Sequence, residues 1–111
     1  MIRAELMELL GDRPALTKNE LVHFLSRRTG LTKVETETVV EGLLGTVQEI
    51  LKMGKKVELR GFGTFLVRIR EPRTARNPAT QETVRLGRRH VPVFKPSKGL
   101  KSAVGKALAA S

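Results

Sequence analysis

The stretch "TFLVRIREPRTARNPATQETVRLGRRHVPVF", residues 64–94, decides the fold. It begins as a strand, with Phe65, Val67 and Ile69 alternating against Arg68 and Arg70. Its end, Val91 to Phe94, reads as a second, short strand. Between them, Glu71 to Arg89 shows no apolar stripe wide enough to cover a core. A structureless loop of about 20 residues is unusual inside a compact domain. A protruding two-stranded ribbon removes the difficulty, because the return leg "ETVRLGRRH" is alternating and partly β-branched. Legs of about nine residues at ~3.3 Å each would reach about 30 Å. A lone two-stranded ribbon is marginal in water, so it should stay loose until something binds it.

Working outward, "KKVELR" alternates Val57 and Leu59 with charge, and "GFG" reads as a turn with Gly61 and Gly63 as its turn glycines. Further upstream the period changes from two to 3.6. In "LTKNELVHFLSRRTG", Thr17 and Glu20 form a capping box, and Leu16 and Leu21 sit at hydrophobic-staple positions. Leu21, Phe24 and Leu25 supply the apolar face, and Gly30 the C-terminal cap. A second box, Thr32 with Glu35, opens a longer helix. Val39, Val40, Leu43, Leu44, Val47, Ile50 and Leu51 stripe that helix, and Gly54 closes it. Residues 1–10 carry Ile2, Leu6, Leu9 and Leu10 at helical spacing before Gly11-Asp12-Arg13-Pro14 breaks the pattern. They read as a short helix, with a frayed tail as the alternative. Past the last strand, Ser97 is an N-cap, and Leu100, Val104, Ala107 and Leu108 line a final helix. The expectation is an α+β chain: helical hairpin, three-stranded antiparallel sheet with a protruding ribbon arm, and C-terminal helix.

Charge then says what the arm is for. Residues 1–54 hold seven Lys/Arg against eight Asp/Glu, whereas residues 55–111 hold 14 against three. Essentially all of the +10 net charge therefore lies in the second half. Solubility does not require segregated charge; a polyanion partner does. An anionic membrane surface is the competing partner; separately, no apolar run approaches the ~20 residues of a membrane span. The opening "MIRAELMELLGDRP" is too acidic for a signal peptide. Cysteine is absent, which excludes disulfides, thiol catalysis and cysteine-held zinc. The expected location is the cytoplasm. With only His23 and His90, no Gly-rich phosphate loop and no metal motif, nothing supports an enzyme or a small-molecule substrate. No cofactor and no metal are expected.

Along the arm run Arg68, Arg70, Arg73, Arg76, Arg85, Arg88 and Arg89, opposed only by Glu71 and Glu82. A planar guanidinium forks onto phosphates and enters a narrow minor groove, where the potential is most negative. The chain has no Trp or Tyr, and its four Phe lie in core-patterned elements. Single-strand stacking is disfavoured, and double-stranded DNA read through phosphate and shape fits better. At the tip, Asn77-Pro78 is a turn signal. Its proline is also a compact apolar wedge with no N–H to desolvate, suited to entering a base step.

Taken together, "RGFGTFLVRIREPRTARNPATQET" and "HVPVFKPSKGLKSAV" resemble the HU/IHF family of bacterial histone-like DNA-bending proteins, from about Leu16 onward. The resemblance implies an intertwined dimer whose two arms clasp DNA through the minor groove, a mechanism for which HU and IHF are standard examples. It implies a homodimer, with a heterodimer as the alternative, associated with the nucleoid. By position, Pro78 is similar to the family's intercalating proline, with Arg68, Arg70, Arg73 and Arg76 at arm positions. Lys95, Lys98 and Lys101 match basic positions flanking the last helix, and Lys18 matches a lysine opening the first family helix. Phe62, Phe65 and Phe94 correspond to the aromatic core between subunits. Two departures stand at the tip, where Ala75 and Gln81 replace the usual glycines. Residues 1–15 precede the family's usual start and read as an extension, leaving 16–111 as the DNA-binding domain with its arm at about 70–89. The reading is an architectural protein that bends or compacts DNA with low sequence specificity. Its alternatives are a site-specific bending factor of the IHF type and a basic RNA-scaffold or protein-interaction module.

Overall fold

A computed structural model describes residues 2–109. Its contacts divide the chain into two units, Met1–Gly45 and Thr46–Ser111. In the first, α1 spans Ile2–Leu10 and α2 spans Lys18–Thr29, while α3, Lys33–Lys52, runs on into the second.

Both predicted capping boxes form. The Glu20 N–H donates to Thr17 Oγ1 at 3.2 Å, and the Thr17 N–H donates to Glu20 Oε1 at 3.1 Å. Thr32 and Glu35 repeat the exchange at 3.1 and 2.9 Å. Each box satisfies two donors that the first helical turn would otherwise leave unpaired. At the far end of α3, Gly54 takes φ +74°, its N–H donates to Leu51 O at 2.9 Å, and the Lys55 N–H donates to Ile50 O at 3.2 Å. That pair of bonds is the Schellman ending, which needs the left-handed conformation glycine adopts freely.

Residues 2–10 are helical rather than a frayed tail. Arg13 explains much of this. Its Nη2 donates to Leu9 O at 3.1 Å, covering an unpaired carbonyl at the end of α1. The same guanidinium forks onto Glu20, with Nη1 to Oε1 at 3.0 Å and Nη2 to Oε2 at 2.5 Å. Arg28 and Glu5 add a second link between α1 and α2 at 3.3 Å. Val22 and Phe24 are the buried apolar residues of α2, and Thr36 of α3 is buried with its hydroxyl on Thr32 O at 2.9 Å.

The second unit holds β1 (Val57–Leu59), β2 (Gly63–Arg70), β3 (Arg73–Arg76), β4 (Thr83–Leu86), β5 (Arg89–Pro96) and α4 (Lys98–Ala109). One antiparallel sheet has the order β1-β2-β5, and β3 pairs β4 as a separate two-stranded ribbon. The last strand is longer than the predicted Val91–Phe94, because it pairs β2 along its whole length, from Gly63 opposite Pro96 to Arg70 opposite Arg89. β5 is an edge strand, which is where Pro92 and Pro96 are tolerated.

Two glycines expected to share a turn do different jobs. Gly61 has φ +83° and is a turn residue. Gly63 is instead the buried first residue of β2. A Cβ there would lie 2.6 Å from the Phe94 ring and 2.7 Å from the Lys95 carbonyl oxygen. Its role is close approach, not turning. Phe94 packs tilted against Phe65 at 4.8 Å and Phe62 at 5.4 Å between centroids. Ser97 caps α4 as expected, accepting from the Leu100 N–H at 3.1 Å. It is also tied back to the β1–β2 turn, donating its N–H to Phe62 O at 2.9 Å and its hydroxyl to Gly61 O at 3.1 Å.

Candidate nucleic-acid interface

The arm is built in two stages. The β2–β5 ladder stops at Arg70 opposite Arg89, and the β3–β4 ladder starts at Arg73 opposite Leu86. Two short links join them, Glu71-Pro72 on one leg and Gly87-Arg88 on the other. Pro72 has no N–H to offer a ladder and Gly87 has no side chain to pack, so pairing lapses here. The expected nine-residue legs are therefore interrupted, and the ribbon proper has four paired residues on each side.

Strand alternation sorts the arginines. In the ribbon, Thr74, Arg76, Thr83 and Arg85 share one face, while Arg73, Ala75, Val84 and Leu86 share the other. In the sheet, Arg68, Arg70, Arg89 and Lys95 stand on the face opposite to Phe65 and Phe94. Arg88 lies 3.9 Å from Glu71, a long ion pair between the two links. Among the described residues, Arg68, Arg70, Arg73, Arg76, Arg85 and Arg89 have no carboxylate within ion-pair distance. Their charges are thus available to an external anion.

The tip is a closed turn. The Asn77 N–H donates to Glu82 O at 2.8 Å and the Gln81 N–H donates to Asn77 O at 2.7 Å. Asn77 Oδ1 accepts from the Ala79 N–H at 2.9 Å, an Asx turn that holds exposed Pro78 at its apex. Gln81 takes φ +64°, the only non-glycine in the left-handed region among the described residues. Its Nε2 donates to Pro78 O at 3.2 Å, which offsets part of that strain. Ala75 sits in β3, paired with Val84, where no positive φ is needed.

Away from the arm, Lys95, Lys98 and Lys101 share a groove of about 560 Å³ with Arg60 and Glu58. The first turn of α4 opens onto it, adding the positive end of a helix dipole. Arg60 was not among the expected binding residues. Its placement beside these lysines comes from β1 and β5 flanking β2, which the local sequence does not show. Lys18, the first residue of α2, is ion-paired with Glu41, whose carboxylate pushes the lysine pKa up.

The family described as "Bacterial DNA-binding protein" matches residues 16–105. The chain is 43% identical to DNA-binding protein HU of Thermus thermophilus over 97 residues, covering 87% of this chain and all of that one. The chain belongs to the HU/IHF family of bacterial DNA-binding proteins. Integration host factor subunit alpha of Bordetella avium is 42% identical over 96 residues, covering 86% of this chain and 83% of that protein. A solved Anabaena HU–DNA cocrystal structure superposes with a TM-score of 0.72 at 35% identity, covering 80% of this chain and 97% of that one.

Within this family the two tip departures have separate physical meanings. Ala75 occupies an ordinary strand position, so losing a glycine there changes little. Gln81 keeps a backbone conformation that glycine would adopt without strain, and it adds a side-chain bond across the turn.

Proposed function

We propose that the chain is an architectural protein that binds the minor groove of double-stranded DNA with low sequence specificity and bends or compacts it. The observation that carries this reading is the arm itself: a ribbon with unpaired arginines, closed by a turn that exposes Pro78. Arg68, Arg70, Arg73, Arg76, Arg85, Arg88 and Arg89 engage phosphates and the groove, Asn77 holds the turn, and Pro78 wedges a base step. The groove of Lys95, Lys98 and Lys101, together with Lys18, meets the phosphates of the bent flanks. Wedging costs a few kcal/mol of unstacking, offset by contacts that only the bent path permits.

The working unit is a homodimer. Phe62 is 48% exposed and Phe94 36% exposed, although they form the aromatic cluster with Phe65. Val39, Leu43 and Leu44 of α3 and Val104 and Leu108 of α4 are each about half exposed or more. Apolar residues in such number call for a covering surface, and a second copy supplies it. Sedimentation of the purified single chain tests this; a monomer at micromolar concentration would exclude a homodimer and favour a heterodimer. Residues 16–111 are the DNA-binding domain in this reading, and residues 1–15 are an extension, of which Arg13 and Glu5 are linked to α2. No described helix is long and apolar enough to cross a membrane, and the proposed location is the nucleoid.

Bending assays decide the wedge. Pro78→Ala should reduce bending of an intact duplex far more than binding to a nicked one; equal losses on both would refute insertion. Similarity to an integration host factor subunit gives a second reading, site-specific bending. Equal bending of random and selected duplexes would exclude it. Competition by structured RNA at parity with duplex would favour an RNA scaffold instead.

A further inference from the structure

We infer that α1 is a built-in shield: its carboxylates Glu5 and Glu8 cover the cations Arg27 and Arg28 of α2, so that this face offers a polyanion no net charge and the duplex is left to the basic second half of the chain. The inference rests on the DNA-binding reading, but it concerns residues which that reading does not use. The family match begins at residue 16, so α1 lies outside it. α2 ends on Arg27 and Arg28, adjacent cations in its last turn. Arg28 Nη1 donates to Glu5 Oε1 at 3.3 Å, and the Arg28 Cζ stands 5.9 Å from the centre of the Phe24 ring. Ring and carboxylate together hold that charge in place. Glu5 and Glu8 line one wall of a cleft of about 440 Å³, and His23, Arg27 and Arg28 line the other.

Within α1 alone, Glu8 is badly placed. It sits in the last turn, where the helix dipole favours cations, and that turn holds no basic residue. It also lies three residues from Glu5 on the same helix face, where like charges repel. Both placements become favourable against the α2 cations. Across the cleft, two carboxylates meet two guanidiniums, so their charges cancel. A duplex that took Arg27 or Arg28 would bring its phosphates against Glu5 and Glu8. Neutralising the two carboxylates would expose two cations in each copy and add a second surface for phosphates.

Anisotropy of a labelled duplex across a potassium chloride series tests the shield on the full chain, with the salt needed to elute it from heparin as a readout independent of DNA. Glu5→Gln with Glu8→Gln should steepen the slope of log K against log salt. The change is about 1.8 if one arginine of each copy in the proposed dimer engages, and about 3.6 if both do. The same variant should leave heparin at higher salt. Adding Arg27→Gln and Arg28→Gln to it should return both readouts to wild type; steepening that survives those changes would overturn the shield. Glu8→Gln alone leaves the Arg28–Glu5 pair intact and should also steepen the slope. Asp12→Asn removes one carboxylate of the same extension outside the cleft and should not. Equal steepening by these two would reduce the effect to net charge and overturn the shield. A steep wild-type slope with neither readout moved in Glu5→Gln with Glu8→Gln would sink the shield alone. A wild-type chain without salt-dependent duplex binding, whose heparin elution still moves with the glutamates and returns with the arginines, would sink the DNA reading alone.

Discussion

Arg76 offers the sharpest test of how the arm binds. It ends the β3–β4 ladder opposite Thr83, next to Asn77-Pro78, with no carboxylate in ion-pair reach among the described residues. Nothing inside the protein has to be given up when it neutralises a phosphate. Each neutralised phosphate contributes about 0.9 to the slope of log K against log salt on duplex DNA. The proposed dimer brings two copies, so Arg76→Gln should flatten the slope by about 1.8. Over a ten-fold range of salt, the affinity ratio of wild type to variant should then change about 60-fold. The six arginines of each arm without an ion-pair partner, all engaged in both copies, would give a slope of about −11. Arg88→Gln should change it less, because Arg88 leaves Glu71 behind on binding. Fluorescence anisotropy of a labelled duplex across a potassium chloride series reads the slope directly. Arg76→Lys keeps the charge and should keep the slope while weakening affinity, since a lysine cannot fork. An Arg76→Gln slope equal to wild type would refute the counterion argument for the tip.

Three further outcomes follow from the packing and the turns. Gly63→Ala places a methyl 2.6 Å from the Phe94 ring and 2.7 Å from a backbone oxygen; denaturant titration should show a loss of about 1–3 kcal/mol, and a change under about 0.5 kcal/mol would refute the close-approach reading. At the tip, Gln81→Gly should preserve the turn, whereas a β-branched Gln81→Val at φ +64° should open it at about 1–2 kcal/mol; loss of protection at the Asn77 amide measures this. Glu20 is held at a pKa of about 2, first by Arg13 and then by the Thr17 N–H, against an ordinary 4.5. A depressed carboxylate stabilises the fold above its unfolded pKa, so this contribution should be full above pH 4.5 and fade as pH falls toward about 2. Glu35, lowered by Thr32, acts in the same direction. Thermal melts across that window should therefore show a shallower acid loss in Glu20→Gln, and an identical profile would count against the Arg13–Glu20 link.

What was legible in the sequence was what chemistry fixes within a few residues. Thr17 with Glu20 and Thr32 with Glu35 are local exchanges of two hydrogen bonds, so spacing alone predicts them. Ser97 was legible as a cap for the same reason, but its tether to Gly61 and Phe62 bridges 36 residues and was not. Gly63 was misread because the sequence shows a glycine beside a turn. Its true constraint is the Phe94 ring, brought over it by the strand register. Arg13 looked like part of a helix breaker, yet it caps one helix and binds the capping box of the next. The arm's charge was plain in composition. Which arginines meet was not, since Arg70, Arg73 and Arg89 converge only once the ladder is known to lapse at Pro72 and Gly87.

That lapse bears on how the arm can work at all. A continuous ladder from β2 through the tip would fix the arm's direction before any DNA arrived. With pairing broken at Glu71-Pro72 and Gly87-Arg88, the ribbon keeps its internal register while its angle to the sheet rests on side chains. At the break Arg70, Arg73 and Arg89 surround Glu71, whose carboxylate makes a long 3.9 Å ion pair with Arg88, so an excess of positive charge is left there for an external anion to neutralise. The ribbon's own stability also comes from little more than the Ala75–Val84 and Arg73–Leu86 pairs on one face and a turn held by Asn77. Such an element is poor at holding a fixed shape and well suited to taking one from a polyanion. Low sequence specificity is consistent with this, because an arm shaped by phosphates answers to the backbone and its deformability rather than to base edges.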